Sequence, residues 1–200
     1  MILVHASTAA AAPWKNGGGV TRELLRLPSG GDDWTLRISV ADIAADGPFS
    51  PFPGVTRWFV VLEGTGVRLA FNDRTINVGA GDAPLRFEGA DAPACTLLDG
   101  PTRDLNVMVR HDRAESLVTP ATFLDEAEPG SSPGFGFFSL QPLALHGAGA
   151  LPVAMPALSL AWCESPFDAS HAWSVAPLHD AAAQEHTLPG YWIRLLPHKR

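Results

Sequence analysis

Lysine is nearly missing from this 200-residue chain: two Lys stand beside twelve Arg, and there are only two Cys and one Tyr. Charged residues make up 18%, and 14 basic against 21 acidic side chains give a formal net charge of −7. With no Lys/Arg cluster to offset that sign, neither nucleic acid nor an anionic membrane is expected as the main partner. Cys95 and Cys163 have neither CxxC spacing nor a disulfide-rich setting, so they read as reduced and structural. No apolar run approaches the ~18 residues of a membrane helix, and the first residues lack the basic start, long apolar stretch and cleavage site of a secretory signal. A cytoplasmic location is the expectation.

Signatures of the common chemistries are missing as well. The seven histidines, His5, His111, His146, His171, His179, His186 and His198, form no HxH or HExxH ligand set. No metal and no other cofactor is therefore expected. There is no GxSxG elbow, Cys95 has no identifiable base, and no GxxxxGK[ST] loop exists. Paired carboxylates such as Asp32-Asp33 and Asp125-Glu126 fall in turns, where they solvate loops.

What the chain does have is a 46% hydrophobic composition with 19 Gly and 18 Pro. That excludes a disordered polymer and predicts many turns, few long helices, and either one large domain or two small ones. β-favouring runs alternate with Gly/Pro/Asp punctuation, which predicts strands near 21–27, 34–40, 58–62, 66–71, 75–78, 94–98 and 103–110. Residues 111–135 read as a polar connection, with 125–134 as its loop, and further strands follow at 135–140, 151–155, 158–163 and 191–196. Helical periodicity is weak: only 41–45 and 179–185 can hold a turn or two, and Asp46-Gly47-Pro48 stops the first.

Alternation assigns faces. Trp34, Leu36, Ile38 and Val40 share one side of their strand, with Thr35, Arg37 and Ser39 on the other. Leu105, Val107 and Val109 likewise stand opposite Asp104, Asn106, Met108 and Arg110. Such polar faces meet water in most sheets, or line the cavity of a barrel that holds one small ligand. Arg57, on the face of Phe59 and Val61, is either a snorkelling surface residue or a ligand clamp. The run Trp14-Lys15-Asn16-Gly17-Gly18-Gly19 is either an anion-facing loop flanked by Asn16 and Arg22 or a tight bend into a strand.

That run, with Thr21-Arg22-Glu23, resembles the HutD/Ves family, as do residues 34–43 (WTLRISVADI), 47–57 (GPFSPFPGVTR), Leu62-Glu63-Gly64-Thr65-Gly66 and 104–108 (DLNVM). The resemblance spans residues 14–108; beyond it only length and β character agree. It implies an all-β, cupin-like double-stranded β-helix built as a bicupin of two packed jelly-roll units, here 1–112 and 113–200. Pro53-Gly54-Val55-Thr56-Arg57 stands where metal-binding cupins carry their HxH pair, and Glu63 lies in the turn, which implies a cupin without the metal site. Family positions matched here are Asn16, Thr21, Arg22, Glu23, Arg37, Ser39, Arg57, Asp104 and Asn106.

HutD-like proteins accompany histidine-degradation genes. The expected function is thus a metal-independent, regulatory binding protein for a carboxylate metabolite such as urocanate or formyl- or formiminoglutamate. Arg22, Arg37 and Arg57 would supply cationic donors, Asn16 and Asn106 would orient the ligand, and Trp14 or Phe59 would stack on an imidazole. Glu23 and Asp104 would neutralise the arginines in the empty site. The rival expectation is an isomerase or hydrolase using Glu23 or Asp104 as general base. Exposed edge strands leave a homodimer open.

Overall fold

A computed structural model describes residues 1–123, 126–127, 130, 132–147, 151–164, 172–178 and 188–198. Its strands run in chain order as β1 (Ile2–His5), β2 (Ala11–Pro13), β3 (Gly19–Leu27), β4 (Leu36–Ile43), β5 (Gly47–Pro48), β6 (Val55–Glu63) and β7 (Val67–Ala70). They continue as β8 (Thr75–Val78), β9 (Leu85–Glu88), β10 (Ala94–Leu97), β11 (Thr102–Arg110), β12 (Ala114–Pro120) and β13 (Glu126–Ala127). Last come β14 (Gly134–Ser139), β15 (Leu143–His146), β16 (Val153–Met155), β17 (Ser159–Glu164), β18 (Trp173–Pro177) and β19 (Gly190–Pro197). The fold is all-β, and the pairings between described strands are antiparallel. Among the described residues, helix is confined to the single 3-10 turns Ala6–Thr8 and Gly89–Asp91.

Two compact units divide the chain: Ala9–Glu115, and Met1–Thr8 with Ser116–Pro197. The sequence division at 112/113 leaves the first eight residues with the wrong partner. β1 pairs along β17 from Ile2↔Trp162 to His5↔Ser159, so the start of the chain belongs to the later unit. Sheet order in that unit is β1-β17-β14-β19-β12 facing its own core with β13-β18-β15-β16. Phe135, Phe137, Trp173 and Trp192 fill this core, with the Phe135 and Trp192 rings stacked at 5.5 Å. Gly136 is required there, because a Cβ would come within 2.6 Å of the Trp162 ring and 2.4 Å of the Ala161 carbonyl oxygen.

The Ala9–Glu115 unit holds the six-stranded sheet β2-β3-β4-β11-β6-β9 and the four-stranded sheet β5-β10-β7-β8. Its interior is Phe49, Phe59, Val61, Val67, Leu69, Val78, Phe87 and Cys95. Fully burying one such aromatic or aliphatic side chain stabilises by about 1.5–3 kcal/mol. Leu36, Ile38, Val40, Leu105, Val107 and Val109, on the other face of the larger sheet, are at most 1% exposed. β4 and β11 are therefore buried on both faces.

Several sequence expectations change at this level. Ala41–Ile43, expected to hold a helical turn, are strand, because Ala41 is paired on both sides, with Thr21 of β3 and Asp104 of β11. Backbone groups already engaged by two neighbours leave none for a helix. The connection expected over 111–135 contains β12, an edge of the later unit's larger sheet, and β13 lies in its expected loop, pairing with Trp173 and Ser174. β1, β2, β5, β9, β15 and β18 are short strands that alternation does not reveal. The helical expectation at 179–185 lies outside the described residues, as do His171, His179 and His186.

Candidate functional site

Antiparallel register builds the site. β11 lies between β4 and β6, and its pairings set three rows on one face of the sheet. Met108 is flanked by Arg37 and Arg57, Asn106 by Ser39 and Phe59, and Asp104 by Ala41 and Val61. Paired residues of an antiparallel sheet point to the same side. Alternation therefore carries Arg37, Ser39, Arg57, Asn106 and Met108 together into the barrel.

They form the base of a cavity of about 630 Å³. Trp14, Lys15, Asn16 and Thr21 line one side, and Pro48, Phe49, Ser50, Pro51 and Phe52 the other. The polar face of β4, which in most sheets meets water, here lines a cavity. The proline-rich wall is held by backbone bonds from the Phe49 amide to the Pro93 carbonyl (3.0 Å) and from the Phe52 amide to the Gly89 carbonyl (2.8 Å). Phe49 and Phe52 escape strand-based reading because they sit in a loop. Aromatic residues between prolines in a connecting segment were the available signal.

Arg57 is the deepest cation, at 9% exposure. Its Nε and Nη2 donate to Asn106 Oδ1 at 2.8 and 2.5 Å, and its guanidinium carbon lies 4.1 Å from the Phe49 ring centroid. Among the described residues no carboxylate forms an ion pair with it. Burial pushes the Arg57 pKa down to about 10, with the Asp104 field opposing and Arg37 adding to the shift. It stays protonated at neutral pH.

Asp104 lies one row beyond Asn106 on the same face, 0% exposed and outside the cavity lining. Oδ2 accepts a hydrogen bond from the Thr102 hydroxyl at 3.0 Å, while Oδ1 has no partner. Burial pushes this carboxyl up to about 7, against the pull of Thr102 and Arg57. Burial, with Asp104 and Asp46 nearby, lifts the Cys95 thiol to about 12, so it supplies no thiolate nucleophile at neutral pH.

Arg37 reaches the cavity with its Nε donating to Glu23 Oε2 at 2.7 Å. A bulge in β3 between Glu23 and Leu25 explains the geometry, since one extra residue puts Glu23 and Arg26 on the same face. Glu23 thus accepts from Arg26 as well, at 2.8 and 2.6 Å. Partial burial tends to raise its pKa, but the bonds from Arg26 and Arg37 prevail and hold it below the ordinary value. Glu23 is engaged by two arginines outside the cavity lining, an unfavourable state for a general base.

Arg22 does not join the cavity. Thr21 points inward, so its neighbour points away, and Arg22 pairs with Asp42 at 2.5 Å, which also takes Arg103 at 2.7 Å. Of the three arginines expected to converge, Arg37 and Arg57 do so. The glycine run is a bend: the Gly17 amide donates to the Trp14 carbonyl (3.0 Å) and the Gly18 amide to Asn16 Oδ1 (3.0 Å), so neither is turned toward an anion. Trp14 is fixed by its indole N–H on Thr21 Oγ1 at 2.7 Å. Phe59, expected to stack on a ligand, is fully buried and outside the cavity lining, whereas Phe49, itself 5% exposed, lines the cavity.

Cupin architecture raises the question of a metal, and the donor set answers it chemically. Two guanidiniums and an amide occupy the barrel floor, a cationic surface that repels a divalent ion. Among the described residues no group of three His, Cys, Asp or Glu is placed to hold one. The residues present do not fit such a centre.

Fold and cavity together define a protein of the cupin-like class. The Bacillus subtilis oxalate decarboxylase fold matches it with a TM-score of 0.61 at 9% identity, over 100% of this chain and 78% of that one. More narrowly, the chain belongs to the HutD family, whose sequence model matches residues 6–170 and so extends well into the later unit. Protein Ves of Citrobacter koseri is 38% identical over 109 residues, 54% of this chain and 57% of that protein. An uncharacterised 21.2 kDa protein from the hutC 3′ region of Pseudomonas putida is 37% identical over 112 residues, 56% and 59% of the two chains. The chain thus spans under two thirds of the curated relatives it matches. HutD from Pseudomonas fluorescens SBW25, solved in a formate condition, superimposes with a TM-score of 0.81 at 23% identity over 99% of both chains.

Proposed function

We propose that this protein binds a small carboxylate metabolite of histidine degradation, without a metal, and regulates that pathway rather than catalysing a step in it. The observation that carries the reading is Arg57: a buried guanidinium on a cavity floor, held by an amide, with no carboxylate among the described residues paired to it. An anion entering the cavity supplies the missing counter-charge, and Arg37 adds a second cation beside it. Asn106 orients Arg57, while Trp14, Phe49 and Phe52 offer apolar walls to the rest of the ligand. The hutC-region relative supports a ligand from this pathway. Urocanate, N-formylglutamate and N-formiminoglutamate are the candidates.

The test is the melting temperature against those three metabolites, each with and without divalent metals. A metabolite-specific rise that needs no metal is expected, since ligand at 100 times its Kd stabilises by about 2.7 kcal/mol. Arg57→Ala should abolish the rise while the protein still unfolds cooperatively. A rise with metal and none with any metabolite would overturn the reading.

A catalytic alternative draws on the raised Asp104 pKa, which suits a proton acceptor. It predicts loss of a metabolite signal in proton NMR that stops in Asp104→Asn. Asp104's place outside the cavity lining favours the binding function.

A further inference from the structure

Asp104 has no place in the binding scheme above, yet it shares the inward face of β11 with Asn106, one row further along the strand. It is wholly buried, one carboxylate oxygen accepts nothing, and it stands two residues from Asn106, the side chain that holds Arg57. An ionised carboxylate with a bare buried oxygen is poorly solvated, whereas a neutral carboxyl tolerates that setting. The Thr102 hydroxyl and, after it, the field of Arg57 are what favour ionisation there.

We propose that Asp104 and the bound ligand compete for the charge of Arg57, so that the anion binds together with one proton taken up by Asp104. This rests on the carboxylate reading of the cavity. The step balances: an anionic ligand and a proton enter, the proton ends on the Asp104 carboxyl, and the ligand carboxylate inherits the guanidinium. With the anion in place, ionised Asp104 would meet a second negative charge across Arg57 and lose its share of the attraction. Binding thereby becomes sensitive to pH although, among the described residues, no histidine lines the cavity.

The groups facing Asp104 leave it as the titrating member. On β4, Ala41 stands beside Asp104, and Asp42 acts only from the opposite face of the sheet, where Arg103 and Arg22 hold it ionised. From β6 comes Arg57 and from β10 Cys95, lowered to about 10 and lifted to about 12 respectively, both beyond the relevant window. Thr102, on its own strand, is neutral. With the Asp104 carboxyl pushed up to about 7, the free protein holds the proton below that pH and releases it above.

N-formylglutamate is the probe, because both of its carboxylates stay ionised from about pH 6 to about pH 9. Calorimetric titration of the full chain should give a constant affinity below about pH 7, falling by up to about tenfold per pH unit above it. At about pH 8, comparing two buffers of different ionisation enthalpy should show uptake approaching one proton per ligand. Asp104→Asn, neutral at every pH, should bind with a flat profile and no uptake. The wild-type buffer comparison stands even if that variant folds poorly. A pH-independent wild-type affinity with no uptake, or a variant that keeps the wild-type slope, overturns the coupling and leaves the cavity assignment intact. Failure of the folded wild type to bind N-formylglutamate, urocanate or N-formiminoglutamate at any pH overturns both.

Discussion

At Arg57 the side chain's chemistry is legible in the sequence, but its surroundings are not. Replacing it with Met keeps most of the volume and removes a desolvated charge that pairs with no carboxylate among the described residues. Arg57→Met should therefore melt at or above the wild-type temperature in the absence of ligand, as buried ions replaced by apolar groups often do. Asp104 makes a pH prediction. Its folded pKa, about 7, lies above the ordinary 3.8, so the native state holds a proton the unfolded chain has released, and stability falls as pH rises between those values. Asp104→Asn should raise the melting temperature more at about pH 8 than at about pH 5; equal effects would mean that the carboxyl is solvated. Gly19 is fixed by space. A Cβ there would lie 2.5 Å from the Asp42 carbonyl oxygen, so Gly19→Ala should lower stability by about 1–3 kcal/mol in urea unfolding.

Strands add what single residues lack, namely which neighbours they meet. Arg37 and Arg57 are 20 positions apart in sequence, yet the register of β4, β11 and β6 sets them on either side of Met108. No local pattern states that register. Alternation alone, however, does show that Thr21 and Arg22 cannot both face the cavity, and the structure places Thr21 inward. The β3 bulge escapes such reasoning, because an inserted residue leaves no mark in composition. Through it Glu23 orients Arg37, and the folded-state pKa of Glu23 lies below its ordinary 4.5. Its contribution is thus present above about pH 4.5 and lost as pH falls through the folded value. Glu23→Gln should cost roughly 1 kcal/mol at neutral pH and progressively less as the pH falls below about 4.5, as measured by chemical unfolding across that range.

For the molecule as a whole, the division into units follows contacts rather than chain order. Met1–Thr8 complete the sheet of Ser116–Pro197, and the Ala6 amide donates to the Leu158 carbonyl at 2.9 Å. Deleting the first eight residues should strip protection from β17 amides in hydrogen exchange while β3, β4 and β11 keep theirs. Loss confined to β3 and β4 would contradict the assignment. The family match through residue 170 agrees with a later unit that belongs to the same architecture, although its sequence offered only β character.

By itself the sequence determined the all-β class, the family, most long strands and the polar residues of β4 and β11, because alternation and turn residues are local properties. Through the family resemblance it also implied that Pro53-Gly54-Val55-Thr56-Arg57 stands in place of an HxH pair. Only the tertiary structure decided that these polar faces enclose a cavity, that Arg22 and Glu23 are engaged outside it, and that Phe49 covers Arg57. Burial and register are set by partners distant in the chain. Whether an arginine is a solvated surface charge or an unpaired cation awaiting an anion depends on those partners alone.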